Sequence, residues 1–102
     1  MSTLHTVNNS PFERNSLSSC LEHLNAGDAV LLIEDGVVGA RKSTRFAADI
    51  EKSMGNCKVY ALEPDLAARG IDTGSILDGI ELVDYGGFVD LAVQHERTQA
   101  WL

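Results

Sequence analysis

An unbroken apolar run at residues 29–33 is the clearest feature in the pattern of hydrophobic and polar positions. The run, Ala-Val-Leu-Leu-Ile, follows the turn signal Gly27-Asp28 and stops at Glu34-Asp35-Gly36. A strand with one solvent-facing side alternates apolar and polar residues, whereas a continuous run is typical of a strand covered on both faces. The pattern therefore predicts a central strand in a parallel sheet.

Three shorter β-prone segments and the spacing between them predict the rest of the sheet. Strands are expected at residues 4–7, 58–62 and 80–83. Helical patterns separate them, at 44–54 and 64–70, and a last helix capped by Asp84 runs to His95. The glycine-rich segment 36–40 opens at most a short helix. Strands that alternate with helices predict βαβ units with right-handed connections.

The first helix has the strongest start signal. Ser10 is suited to the N-cap, Pro11 to the first helical position, and Glu13 stands three residues after the cap. This signal predicts a helix from there to about Leu24. Its apolar stripe at i, i+3, i+4 and i+7 places Cys20 on the buried side.

We therefore predict a single α/β domain over residues 1–102, a small, mostly parallel sheet of four to five strands with helices on both faces. Four strands follow from the pattern itself. Trp101 lies in a short polar tail, where a large aromatic side chain lowers solubility unless it is covered. We expect it to be covered by a partner protein, with docking on its own domain as the alternative.

Charge narrows the range of partners. The chain has 15 acidic and 8 basic residues, a net charge of -7, and this balance opposes direct binding to nucleic acid. The cluster Arg41, Lys42 and Arg45 is more typical of a solvated face. Neither a secretory signal nor an apolar run of about 20 residues is apparent, so we expect a cytoplasmic protein without a membrane span.

Acidic residues follow the predicted strands at the sheet edge where open α/β folds bind ligands. Paired carboxylates can act as acid and base, but such residues are more often helix caps and solvated turns. No glycine-rich phosphate loop accompanies them, and Cys20 and Cys57 lack zinc-ligand spacing, so we expect no cofactor and no metal. The residues concerned are Glu34, Asp35, Glu63, Asp65 and Asp84.

Cys20 is the sharpest candidate for chemistry. Its thiolate would be a persulfide carrier, and His23, three residues later on the helix, would favour the thiolate. Alternatively, Cys20 acts as a small apolar residue that packs in the core, and its position on the apolar stripe of the helix favours this interpretation. Cys57 is interpreted as incidental. His5 and His95 have no apparent partners and are expected to be structural or surface residues.

Six segments in order along the chain resemble the DsrH/TusB family of sulfur-relay proteins, and together they cover nearly its whole length. They are Leu-His-Thr-Val at 4–7 with Ser-Pro-Phe at 10–12, Leu-Leu-Ile-Glu-Asp-Gly at 31–36, Val-Tyr-Ala-Leu at 59–62, Asp-Leu-Ala-Ala-Arg-Gly at 65–70, Val-Asp-Tyr at 83–85 with Phe-Val at 88–89, and Gln-Ala-Trp-Leu at 99–102.

The resemblance implies a DsrE/F-like sandwich within a heterohexamer that contains DsrE/TusD-like and DsrF/TusC-like subunits. Such complexes pass persulfide sulfur to a DsrC/TusE-like carrier protein, and their established sulfur-bearing cysteine belongs to the DsrE/TusD subunit. A cysteine at the place of Cys20 is typical of DsrH-type members, which serve sulfur oxidation. We therefore expect a DsrH-type subunit with Cys20 as a second sulfur acceptor. The alternatives are a TusB-type subunit that serves 2-thiolation of the tRNA wobble uridine, and a structural subunit whose Cys20 only packs.

Overall fold

The computed structural model describes residues 2–102 and contains a five-stranded sheet in which every pair of neighbouring strands is parallel. The spatial order is β4-β3-β2-β1-β5, so β2 lies at the centre, as the unbroken apolar run predicts. The α/β class is confirmed. The strands are β1 (Thr3–Val7), β2 (Ala29–Leu32), β3 (Lys58–Leu62), β4 (Glu81–Val83) and β5 (Arg97–Trp101).

Helices connect the strands and cover both faces of the sheet, again as predicted. They are α1 (Ser16–Glu22), α2 (Ala47–Ser53), α3 (Glu63–Ala68) and α4 (Tyr85–Gln94), with 3-10 helices at Glu34–Ala40 and Thr73–Ser75. Asp84 caps α4 as expected, since its carboxylate accepts a hydrogen bond from the backbone N–H of Gly87 at 2.8 Å. No helix within residues 2–102 is long and apolar enough to cross a membrane.

Helix α1 starts at Ser16, five residues later than the first helical position, Pro11, that the N-cap signal predicts. The Ser10 carbonyl accepts hydrogen bonds from the N–H groups of Glu13 and Arg14, both at 3.1 Å, and this turn is not continued. Residues 12–15 are exposed, and the first buried apolar side chain of the helix is Leu17. Because most helical stability in proteins comes from packing an apolar face, the capping signal alone does not extend the helix.

The two faces of the sheet differ in how thickly they are covered. One face carries the larger core, to which α1, α2 and α3 contribute Leu17, Ile50 and Leu66. The opposite face carries a smaller cluster in which Leu91 of α4 packs with Leu4 and other sheet residues. Helix α4 is therefore the main cover of one whole side of the sheet.

Strand β5 is the element that the pattern misses. It lies in the expected polar tail, and its side chains are exposed apart from a half-buried Trp101. It forms because its backbone pairs in parallel with β1, from Thr3 opposite Arg97 to Val7 opposite Trp101. This pairing holds the partly exposed Trp101 against its own domain, which is the docking that we gave as the alternative to cover by a partner protein.

Candidate functional site

Cys20 lies in the second half of α1 and faces the larger core, with a fully buried side chain. It lines neither the surface depression between α1 and α2 nor the one beside His5 and Trp101. Its distance from the first turn of α1 also removes it from the backbone N–H groups that stabilise a thiolate. The structure thus shows the buried position that the apolar stripe predicts.

The surroundings of Cys20 favour its neutral form. Burial, followed by the nearby negative charge of Asp28 and by the second thiol, Cys57, raises the pKa of Cys20 from 9.0 to about 12. At neutral pH only on the order of one thiol in 10⁵ is then ionised. Because the thiolate is the nucleophile in sulfur transfer, Cys20 is unreactive in this conformation.

His23 does not assist Cys20. The ring nitrogen Nδ1 of His23 donates a hydrogen bond to the Ser19 carbonyl oxygen at 2.7 Å. The ring lies on the exposed side of the helix, where it packs at 5.5 Å from the ring of Trp101. The backbone N–H of His23 donates to the Cys20 carbonyl oxygen at 3.0 Å, but within residues 2–102 no hydrogen bond joins the His23 ring to the Cys20 thiol. Our expectation that His23 favours the thiolate is therefore wrong.

A buried polar network links three elements beside Cys20. His5 Nε2 lies 2.9 Å from Asp28 Oδ2, and Trp101 Nε1 donates to His5 Nδ1 at 3.0 Å. His5 and Asp28 are only 6% and 3% exposed. The network joins β1, the loop before β2 and the end of β5. His5 therefore has partners that the sequence did not reveal.

The partners of His5 determine where its proton lies. An indole N–H is only a donor, so Nδ1 of His5 must be the acceptor and must carry no hydrogen. The hydrogen is then on Nε2, which donates to the Asp28 carboxylate. His5 is thus held as one neutral tautomer that connects the carboxylate to the indole.

Asp28 is the most heavily hydrogen-bonded carboxylate of this region. Besides His5, the backbone N–H groups of Thr3 and Asn25 donate to it, at 3.0 and 3.1 Å. Burial acts to raise the pKa of Asp28, but these hydrogen bonds and the nearby His5 outweigh it and lower the pKa. Asp28 therefore remains ionised inside the protein and ties the start of β1 to the turn before β2.

Cys57 lies beside this network, and its thiol donates to the Asn25 carbonyl oxygen at 3.2 Å. Burial, followed by the charge of Asp28, raises the pKa of Cys57 as well. It lines a depression of about 360 Å³ between α1 and α2. This second thiol is almost buried and protonated, as expected for an incidental cysteine.

His95 has a hydrogen-bond partner, although the sequence suggested none. Its Nδ1 donates to the Leu91 carbonyl oxygen at 2.8 Å.

Three of the five acidic residues at the strand ends have carboxylates with structural partners among the described residues, namely Asp35, Asp65 and Asp84. The carboxylate of Asp65 accepts from the backbone N–H of Glu34 at 2.6 Å, and Asp35 pairs with Arg69 at 2.9 Å. Glu34 itself has a positive φ of 50°, a conformation that this hydrogen bond helps to hold. These contacts agree with the interpretation of caps and turns rather than acid–base catalysis.

Sequence comparison decides the family. The family model of DsrH-like proteins matches residues 9–98. The chain is 41% identical over 98 residues to Protein TusB from Escherichia coli K12 and to its counterpart from Shigella flexneri, covering 96% of this chain and 99% of each relative. The chain belongs to the DsrH/TusB family. This membership makes it a sulfur-relay protein, as the segments at 4–12 and 31–36 indicate.

Solved structures support the fold of this DsrH/TusB member. The ychN protein from Escherichia coli superposes with a TM-score of 0.79 at 18% identity, over 98% of this chain and 99% of its own. A protein of unknown function from Methanobacterium thermoautotrophicum gives 0.77 at 17% identity, over 97% of each chain. At such identities the likeness concerns the fold, an α/β sandwich with a parallel sheet.

Proposed function

We propose that this DsrH/TusB protein is an assembly subunit of a cytoplasmic sulfur-relay complex and bears no sulfur itself. Its partners would be DsrE/TusD-like and DsrF/TusC-like subunits in a heterohexamer that delivers persulfide sulfur to a DsrC/TusE-like carrier. The observation that carries the proposal is the complete burial of Cys20 with its pKa raised to about 12. A sulfur-bearing cysteine would need an accessible thiolate.

The relatives named TusB favour the branch that serves 2-thiolation of the tRNA wobble uridine. The net charge of -7 fits a role upstream of the tRNA, in which another protein contacts the nucleic acid. The contribution of this chain would then be to hold its partners in place.

The competing proposal keeps Cys20 as a second sulfur acceptor in a DsrH-type complex. It rests on the presence of a cysteine at this place in the chain. The Cys20 thiolate would attack the outer sulfur of a donor persulfide, form a new S–S bond and release the donor thiolate. This step requires α1 to move and expose Cys20 within the complex.

A substitution in the assembled complex separates the two proposals. The complex is purified with wild-type chain, with Cys20→Ala and with the matched control Cys57→Ala, and is loaded with persulfide from a cysteine desulfurase. We expect all three complexes to pass sulfur to the carrier at similar rates. Mass spectrometry after alkylation should find persulfide on the DsrE/TusD-like subunit and none on Cys20. Persulfide on Cys20, or loss of transfer in an intact Cys20→Ala complex, would favour the competing proposal.

Complementation tests the branch. The chain is expressed in an Escherichia coli strain that lacks TusB, and the 2-thiouridine content of its tRNA is measured by mass spectrometry. Restoration of the modified base would support the tRNA branch. If the modification stays absent although the chain co-purifies with the host's relay subunits, the tRNA role is wrong.

A further inference from the structure

Helix α4 is apolar on its outer side as well as on the side that faces the sheet. Tyr85, Val89 and Val93 follow one another at i, i+4 and i+8, and they are 61%, 61% and 80% exposed. We call these three residues the outer ridge of α4. Because the apolar residues of α4 extend beyond its buried face onto exposed positions, the helix presents a surface suited to a partner.

The outer ridge lies in the most acidic part of the chain. Between Arg69 and Arg97 there are six carboxylates and neither a lysine nor an arginine. Asp84 caps the start of α4, Asp90 is exposed on the helix itself, and Glu96 follows its end. The other three are Asp72, Asp78 and Glu81, and the segment around Asp72 and Asp78 packs through Ile76, Leu77 and Ile80 on the opposite face of the sheet.

We propose that the outer ridge of α4 is a docking site for a helix of a different protein subunit, with an apolar ridge of its own flanked by lysine or arginine. Side chains four residues apart form the ridges that interdigitate when two helices pack. From Tyr85 to Val93 the ridge spans about 12 Å, which matches about two turns of a partner helix. The tyrosine supplies the kind of amphipathic anchor that is enriched at interfaces.

Charge distinguishes this occupant from a second copy of the chain. A two-fold contact between two outer ridges would bring the carboxylates around Asp84 and Asp90 of each copy close together, and each copy carries a net charge of -7. A basic rim on a different protein instead pairs with these carboxylates. An anionic membrane surface or a nucleic acid is repelled by the same charges.

This inference rests on the proposed function, because it takes the partner to be another subunit of the relay complex. The test co-expresses tagged wild-type chain, or the V89E/V93E variant, with the DsrE/TusD-like and DsrF/TusC-like subunits of the same organism. Both substituted positions are exposed, so the variant should fold, which circular dichroism and thermal unfolding would verify. We expect at least a tenfold loss of co-purified subunits for V89E/V93E.

Two further variants sharpen the result. Gln94→Glu adds a negative charge at an exposed position of α4 outside the ridge, and it should retain the partners. Asp90→Lys reverses one flanking charge, and it should weaken association and reduce its dependence on salt concentration. Equal losses for Gln94→Glu and V89E/V93E would overturn the role of the ridge.

The outcomes separate this inference from the proposed function. If the wild-type chain and V89E/V93E retain the subunits equally, the docking site is wrong and the proposed function stands. If the wild-type chain retains no relay subunit, the proposed function fails and the inference fails with it. If the isolated chain dimerises in light scattering and V89E/V93E is monomeric, the occupant is a second copy and the proposed partner is wrong.

Discussion

Substitution of Asp28 by alanine should destabilise the protein more than its position in a loop suggests. The carboxylate accepts three hydrogen bonds, from His5 Nε2 at 2.9 Å and from the backbone N–H groups of Thr3 and Asn25 at 3.0 and 3.1 Å. Its side chain is almost fully buried. Asp28→Ala therefore leaves three donors without their acceptor.

The size of the effect follows from the cost of those unpaired donors. A donor left without its acceptor costs about 1–3 kcal/mol, so three donors near the low end of that range lower the free energy of unfolding by about 3–5 kcal/mol. Domains of this size are stable by about 5–15 kcal/mol, so the variant loses a large part of its margin. With a urea dependence of about 1.5 kcal/mol per molar, the unfolding midpoint should fall by about 2–3 M.

Urea unfolding followed by circular dichroism at pH 7 measures this difference. The exposed Asp78→Ala is a matched control that should change the free energy of unfolding by less than about 0.5 kcal/mol.

The stability difference between wild type and Asp28→Ala should also depend on pH, in a direction that the pKa of Asp28 fixes. Because folding lowers the pKa of Asp28 below 3.8, its stabilisation is fully present above that value and is lost as the pH falls through the folded-state pKa. The gap between wild type and Asp28→Ala should therefore be constant from pH 7 to about 5 and shrink below about pH 4.

An Asp28→Ala variant that matches Asp78→Ala in urea would refute this reasoning. So would a gap that widens on acidification, because a carboxylate whose pKa is lowered on folding can only lose its contribution as protons are added.

Three further predictions concern the packing around this network and the core. Trp101→Phe keeps an aromatic ring but removes the indole donor to His5, so the free energy of unfolding should fall by about 1–2 kcal/mol. A smaller loss, or none, would indicate that a water molecule replaces the indole N–H. Gly36→Ala should fold poorly or not at all, since an added Cβ would lie 2.1 Å from the Val7 carbonyl oxygen, and a soluble variant with unchanged thermal stability would contradict the close approach. Cys20→Ser should unfold at a lower urea concentration than Cys20→Ala, because the serine buries a hydroxyl in the apolar core at a cost of about 1–3 kcal/mol. The reverse order would indicate that the surroundings of Cys20 are polar or hydrated.

The sheet was largely predictable because its central strands carry an unambiguous local signal. The unbroken apolar run that becomes β2 is buried on both faces, and the alternation of strands and helices gives the parallel topology. Strand β5 was not predictable in this way. Its first three residues are polar, all but Trp101 are exposed, and it exists through backbone hydrogen bonds to β1, more than 90 positions away in the chain.

The candidate site was also predictable only in part. The burial of Cys20 follows from local helical spacing, and the structure shows it. The link from Asp28 to His5 and Trp101 does not follow from spacing, because it depends on which strands become neighbours. A charged residue directly before a buried strand was the one available hint, since a carboxylate that is drawn into a core needs a partner. The same limit explains the failure of His23, which is close to Cys20 along the helix but whose ring donates to the Ser19 carbonyl oxygen and packs beside Trp101.

The pairing of β1 with β5 has a consequence for biosynthesis. Of the described strands, β1 is the first to leave the ribosome, and β5, which covers its outer edge, is the last to be made. Until then one edge of β1 has free backbone donors and acceptors, the kind of edge on which other chains can form β-structure. The nascent protein would therefore benefit from a chaperone or from early contact with another protein, and a stalled or truncated chain without β5 should aggregate more readily than the complete one.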